Sequence, residues 1–366
     1  MEFNTFTEEV KAAVQNRLPE SYKDVEFTLN ENYKLNDHYM GLTAHIPGQT
    51  ISPTVNLNAY HEKYEQGMSM DEIADRIAEA IQQEPEVEVD IDNLLTYDKS
   101  KLFIRVSDID ANRDTLAGVP YTKVENLAIT YHVVASQGKD GIASTIVNDQ
   151  LMNQYGITKE QLHQDAMENS PKIMPARITS MEQVMREMMS ADLKNTGMSQ
   201  DEIDTMLDGM IPSGENPMTV VTNEQSINGA AVMFYPNVMD QLGEQVGGNF
   251  FVLPSSVHEC LVLPDNGEMS YRELKAMVTD INATQVEPKD RLADEVYHYD
   301  VQEHVFERAD RFETRMQEKE AAKGKEDISE NKSLIGRLNE KKEQIADKPK
   351  NPTKAATKQH NNDLAM

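Results

Sequence analysis

The residues best suited to chemistry in this chain sit together in one turn, Pro254-Ser255-Ser256-Val257-His258-Glu259. A serine hydroxyl near a histidine and a carboxylate is the raw material of an activated nucleophile. The spacing argues against that role. Adjacent turn positions rarely face one another, and a triad is normally assembled from distant segments. Serine beside proline serves turns well. No Gly-x-Ser-x-Gly elbow occurs. For metals, His61-Glu62 lacks the second histidine that a zinc-binding helix carries four residues on. His298 and His304, with Glu295 and Glu303, come closer to a ligand set. The two histidines are separated by neither three nor four residues, so no helix face unites them, and they read as solvated surface groups. His132 lies in an apolar run and reads as a hydrogen-bonded core histidine. Val246-Gly247-Gly248-Asn249 has neither the Walker lysine nor the three-glycine dinucleotide spacing. These patterns assign no catalytic, cofactor-binding or metal-binding residue, and no cofactor is expected.

The turn is held by the most apolar stretch of the chain, Asn249–Asp265. Phe250–Leu253 and Cys260–Leu263 are short, nearly continuous apolar runs, as expected of strands buried on both faces. Pro254 and Pro264 close them, since proline cannot donate to a sheet ladder. The expectation is a β-hairpin at the centre of a mixed sheet, with Phe251 and Leu261 in the core. Cys260 is the only cysteine, so no intramolecular disulfide can form. It reads as a small buried hydrophobe in a reducing cytoplasm.

Taken in order, the chain alternates strand groups and helices. Thr5–Leu18 carries Phe6, Val10 and Val14 at helical spacing. Val25–Leu29, Met40–Ile46 and Ile51–Leu57 read as strands, split by the turn-rich Asn30–Asp37 and by Pro47-Gly48. Ser69 with Glu72 caps a helix that has Ile73, Ile77 and Ile81 on one face. Glu84–Asp92 is an acidic linker. Strands follow at Leu102–Val106, Leu127–Ala135 and Ile142–Val147, and then a helix capped by Thr158 that Pro171 and Pro175 end. Residues 176–217 form a helical pair with a methionine stripe: Met181, Met185, Met188, Met189, Met206 and Met210. Such a stripe either packs on the sheet as a lid or offers an adaptable surface to a partner. Met218–Val221 restarts the sheet, Ala230–Val246 reads as a helix, and Ser270 caps another. Residues 347–366 are polar and Lys-rich, with disorder expected.

Charge narrows the partners. The chain has a net charge of −28, and residues 307–366 carry a net of +2, which leaves −30 on residues 1–306. A body that acidic repels nucleic-acid phosphates and anionic membranes. The start of the chain has no basic and apolar signal pattern. No run approaches the ~18 apolar residues of a membrane span.

Five blocks, MGLTAHIPGQTISPTVNLNAYHEKYEQGMSMDEIADRI, LAITYHVV, MTVVTNEQSINGAAVMFYP, FFVLPSSVHECLVLPDN and MVTDINATQVEPKDRLADEVYHY, occur in that order. Together they resemble the domain-of-unknown-function family 5688, over roughly residues 5–302. The resemblance implies one shared architecture in a bacterial, intracellular setting, often near mobile elements. That family has no assigned activity, so no site residue carries over. The tail SLIGRLNEKKEQIADKP resembles helical tails of mobile-element proteins.

The resulting expectation is an α+β protein with packed helices in sub-domains 1–84, 93–175 and 218–306. A Met-rich helical segment, 176–217, and a charged helical or disordered tail, 307–366, complete it. The functional expectation is a non-catalytic cytoplasmic interaction or accessory protein with protein partners. The alternative is an enzyme, such as a hydrolase, with a site scattered over several segments. A pocket converging on titratable groups from different segments favours the second, and an exposed apolar patch the first.

Overall fold

A computed structural model of the chain describes residues 1–49, 51–83, 90–138, 141–211, 214, 218–254 and 256–322. The expected acidic linker and the expected disordered tail fall largely outside them. Among the described residues three sheets carry the fold and every pairing is antiparallel, so the α+β class holds while the expected mixed pairing does not. Residues Met1–Ala309 form one compact unit and Asp310–Met366 a second, of which residues 310–322 are described and helical. No helix among the described residues is long and apolar enough to cross a membrane.

The first sheet holds β1 (Glu26–Lys34), β2 (Asp37–His45) and β3 (Thr54–Asn56), under α1 (Phe3–Gln15), α2 (Leu57–Glu65) and α3 (Met70–Gln82). The stripes Phe6-Val10-Val14 and Ile73-Ile77-Ile81 close on Phe27, Leu42 and Ala44. Asn30–Asp37 is mostly strand rather than turn. β1 runs on to Lys34, and Leu35-Asn36 alone makes the reversal. Asn36 supplies the φ of +60° that this needs, a region asparagine tolerates.

The second sheet follows α4 (Ile91–Leu95) and holds β4 (Leu102–Asp108), β5 (Tyr121–Val124), β6 (Leu127–Gly138) and β7 (Gly141–Ile146). β4 lies along one edge of β6, with β5 and β7 end to end along the other. α5 (Asp149–Tyr155) and α6 (Lys159–Ile173) follow. α6 runs through Pro171 instead of ending there. The Ser170 hydroxyl donates to the Ala166 carbonyl at 2.5 Å and accepts from the Ile104 amide at 2.9 Å, tying this last turn to β4.

The third sheet is built from β8 (Ala176–Ser180), β9 (Thr219–Asn223), β10 (Phe250–Leu253), β11 (Cys260–Pro264), β12 (Tyr297–Asp300) and β13 (Val305–Arg308). Its order is β13-β12-β10-β11-β9-β8, so the apolar hairpin is central, as its composition predicts. α7 (Met181–Lys194), α8 (Gln200–Met210), α9 (Val238–Val246) and α10 (Tyr271–Thr284) complete it. Alternation divides the hairpin between two cores. Phe250, Val252, Cys260 and Val262 face a core shared with the second sheet. Phe251 and Leu253 face a smaller one with Leu274 and Val278 of α10. Leu261 is only half-buried at its edge, a correction to its expected core position. The expected helix over 230–246 is broken at Pro236, with a 3-10 turn over Gly229–Phe234 before α9. Gly229 is required there. A Cβ at this position would come within 2.5 Å of the His258 carbonyl and 2.7 Å of the Asn223 amide nitrogen.

Candidate functional site

The second sheet buries polar groups on one face. Leu102, Ile104 and Val106 of β4 enter the shared core, which turns Phe103, Arg105 and Ser107 to the opposite side. On β6, Leu127, Ile129, Tyr131 and Val133 point into the core, and Thr130 and His132 away from it. Register sets Phe103 opposite His132 and Arg105 opposite Thr130. Ser144 of β7, paired with Val134, shares their face. Phe103, Ser107, Thr130 and His132 are nevertheless buried.

A cleft of about 520 Å³ opens over this face. Its walls are the β1–β2 turn, Tyr33 to Asp37, and the segments at Asn228, Val257-His258 and Lys289-Asp290. Arg105 lies in its floor. The guanidinium donates to Ser144 Oγ at 2.9 Å and lies 5.6 Å from the Phe103 ring centre. Its Nε is buried with no acceptor, and no carboxylate pairs with it among the described residues. Burial lowers its pKa from the usual value, as desolvation of a cation requires. His132 sits alongside, bonded through Nε2 to Thr130 Oγ1 at 3.1 Å. Burial first, and the Arg105 charge second, hold its pKa well below the ordinary histidine value. It is neutral at neutral pH.

His258 is tied at both nitrogens. Nδ1 accepts from the Asn228 amide at 3.2 Å, so the ring proton is on Nε2, which faces Asp290 Oδ1 at 3.2 Å. Its own amide donates to Ser256 Oγ at 3.0 Å, and its carbonyl accepts from Thr222 Oγ1 at 2.7 Å. It is a stitching point between three segments.

A second cleft, of about 640 Å³, lies on the other side of the same β1–β2 turn. It is acidic, with Asp37, Asp108, Asp110, Asp114, Asp294 and Glu295 in its lining. The wall between the clefts is pinned. The Asn36 amide donates to Asn112 Oδ1 at 2.6 Å, and Asn36 Nδ2 to the Arg291 carbonyl at 2.7 Å.

A family model described as a family of unknown function (DUF5688) matches residues 3–301. The chain belongs to this family. No curated protein and no solved structure matches it.

For this DUF5688 member, the other sequence candidates disperse. Ser255 lies outside the described residues. Glu259 is exposed. His61 bonds the Met1 carbonyl and packs on Phe3 and Phe6. His298 is fully buried, against the solvated expectation, with Nε2 3.0 Å from Asp265 Oδ2. His304 instead pairs with Asp240, and Glu295 with Lys275. Gly247 caps the C-terminus of α9 at φ +83°, the end of a helix that repels anions. Among the described residues no group of three or more His, Cys, Asp and Glu is placed to hold a metal ion. Sequence reasoning missed Arg105, Asn228 and Asp290. The available signal for Arg105 was a lone cation inside the run Leu102–Val106.

Proposed function

We propose that this DUF5688 member is a non-catalytic cytoplasmic accessory protein that holds a small oxyanion against Arg105. The observation that carries the reading is the unneutralised guanidinium in the cleft floor. Arg105 is half-buried with its Nε enclosed, and a charge so placed without a counter-charge is costly. Here one serine hydroxyl is its hydrogen-bond acceptor among the described residues. A carboxylate or phosphate entering the cleft would supply charge-assisted bonds that the fold itself does not. Lys34 and Lys289 line the cleft with Asp37 and Asp290, which offset them, so Arg105 leaves the lining net positive in a strongly acidic chain. The geometry at His258 favours binding over hydrolysis. Both ring nitrogens are engaged, and the Ser256 hydroxyl faces the histidine amide rather than its ring.

The test titrates sodium succinate and sodium phosphate, at constant ionic strength, into the wild type and into Arg105→Met. Calorimetry and thermal unfolding are read together. Binding of at least one anion should raise the wild-type midpoint and vanish in Arg105→Met. The variant alone should melt at or above the wild type, because an uncompensated charge has been removed. Equal binding by both proteins, or none by the wild type, would overturn the reading.

A further inference from the structure

The helix pair α7–α8 presents an apolar surface that no other described element packs against. Ile203, Leu207 and Ile211 are buried against Met189, Leu193 and Met198, and these six close the pair on itself. The remaining methionines stay in water: Met185, Met188, Met206 and Met210 are 42%, 66%, 44% and 54% exposed. Helical spacing places all four on one side of the pair. Taking the inward residues Met189 and Ile203 as reference, Met185 and Met188 on α7 and Met206 and Met210 on α8 turn the same way out of the seam. The opposite side is closed by Arg186, which bonds Asp208 at 2.8 Å and the Ile211 carbonyl at 2.9 Å. The stripe therefore does not serve as a buried lid.

We infer that this methionine face docks a basic amphipathic helix of a protein partner. Charge selects that occupant. The pair carries seven carboxylates against Arg186 and Lys194. Arg186 is held by Glu182 and Asp208, and Glu187 by Arg177. By the same spacing Asp192 and Glu202 lie on the methionine side, and neither has an ion-pair partner among the described residues, whereas Asp201 and Asp204 turn towards the Arg186 side. A helix with apolar residues on one face and Lys or Arg along its margins would bury the four methionines and neutralise that rim. Methionine suits this use because its unbranched thioether reshapes to the incoming side chains. A second copy of this chain would set acid against acid, at −28 per copy, and is the less favourable occupant.

The experiment uses the full chain and a fluorescent, helix-forming Lys/Leu amphipathic peptide. Its partner probe is the same peptide with every Lys changed to Glu. Anisotropy is followed for the wild type, for the double variant Met188→Gln/Met206→Gln and for Asp192→Asn/Glu202→Gln. All substituted positions are on the surface, and unchanged thermal midpoints check that the variants are folded. The inference expects the basic peptide to bind and the acidic one not to bind. It expects the methionine variant to lose about tenfold or more in affinity. It expects the Asp192→Asn/Glu202→Gln variant to lose less and to show a weaker dependence on salt. Equal affinity across the three proteins would overturn it. So would equal binding of both peptides, or self-association abolished by the methionine changes.

Discussion

β10 and β4 are both buried strands, but their second faces are used differently. Each sends alternate residues into the shared core: Phe250 and Val252 from β10, and Leu102, Ile104 and Val106 from β4. The other face of β10 carries Phe251 and Leu253, covered by the apolar stripe of α10. The other face of β4 carries Phe103, Arg105 and Ser107, covered by turns and loops that bring their own polar groups. A helix stripe seals a face. Loops leave a cleft, with Arg105 Nε and Ser107 Oγ buried and unpartnered among the described residues. Unsatisfied buried polar atoms are rare in folded proteins and call for a role. The difference separates a face kept for stability from one available for recognition.

The most direct way to break this comparison is Phe251→Ala. The ring is 7% exposed, packs edge-on to His298 at 5.2 Å, and belongs to the α10 core. Its loss should cost about 3–5 kcal/mol, the range of large-to-small core changes. Denaturant unfolding midpoints measure it. A cost under ~1 kcal/mol would mean that the second face of β10 is no more structural than that of β4.

Composition made β10 legible and left β4 half-read. A continuous apolar run has one physical solution, burial on both sides, and the hairpin, its central place and buried Cys260 followed from that. The helix caps at Ser69, Thr158 and Ser270 were equally readable, because a hydroxyl three residues before an amide is local chemistry. β5, β8 and β13 were not foreseen. Each is short and carries polar residues; β8 forms by pairing with the sequence-distant β9, and β5 and β13 by folding back on the neighbouring β6 and β12. His298 failed for a related reason. Six residues of spacing say nothing once a turn at 301–304 separates two strands. The cleft depends on Asn36, Asn228 and Asp290 arriving from far apart, and no local pattern records such a meeting.

The comparison can be sharpened by pH. His132 is buried on the polar face of the second sheet, and its folded pKa lies well below the ordinary value. The unfolded chain then binds a proton near pH 6.5 that the native state refuses. His132 thus costs no stability above about pH 6.5, and stability falls as pH drops from there towards the folded pKa. The slope from this one group is about 1.4 kcal/mol per pH unit. Unfolding free energies between pH 7 and pH 5 should therefore fall more steeply for the wild type than for His132→Gln. Parallel curves would show that the face is wetter than its burial indicates.

The smallest expected effect is at the turn that links β10 to β11. His258→Ala removes the acceptor of the Asn228 amide and the partner of Asp290. The side chain is 36% exposed, so water can replace part of what is lost. The cost should be about 1 kcal/mol, one or two net hydrogen bonds discounted for solvent. That is well below Phe251→Ala and above the near-zero cost of a free surface residue. Urea midpoints for His258→Ala and Asp290→Asn, measured together, place it on that scale. If both match the wild type, the two bonds hold nothing, and the hairpin turn is the solvated loop that its composition suggests. If His258→Ala alone is destabilised, the Asn228 amide is the bond that matters. The β9-to-α9 connection would then be fastened to the central hairpin through a histidine that also walls the cleft.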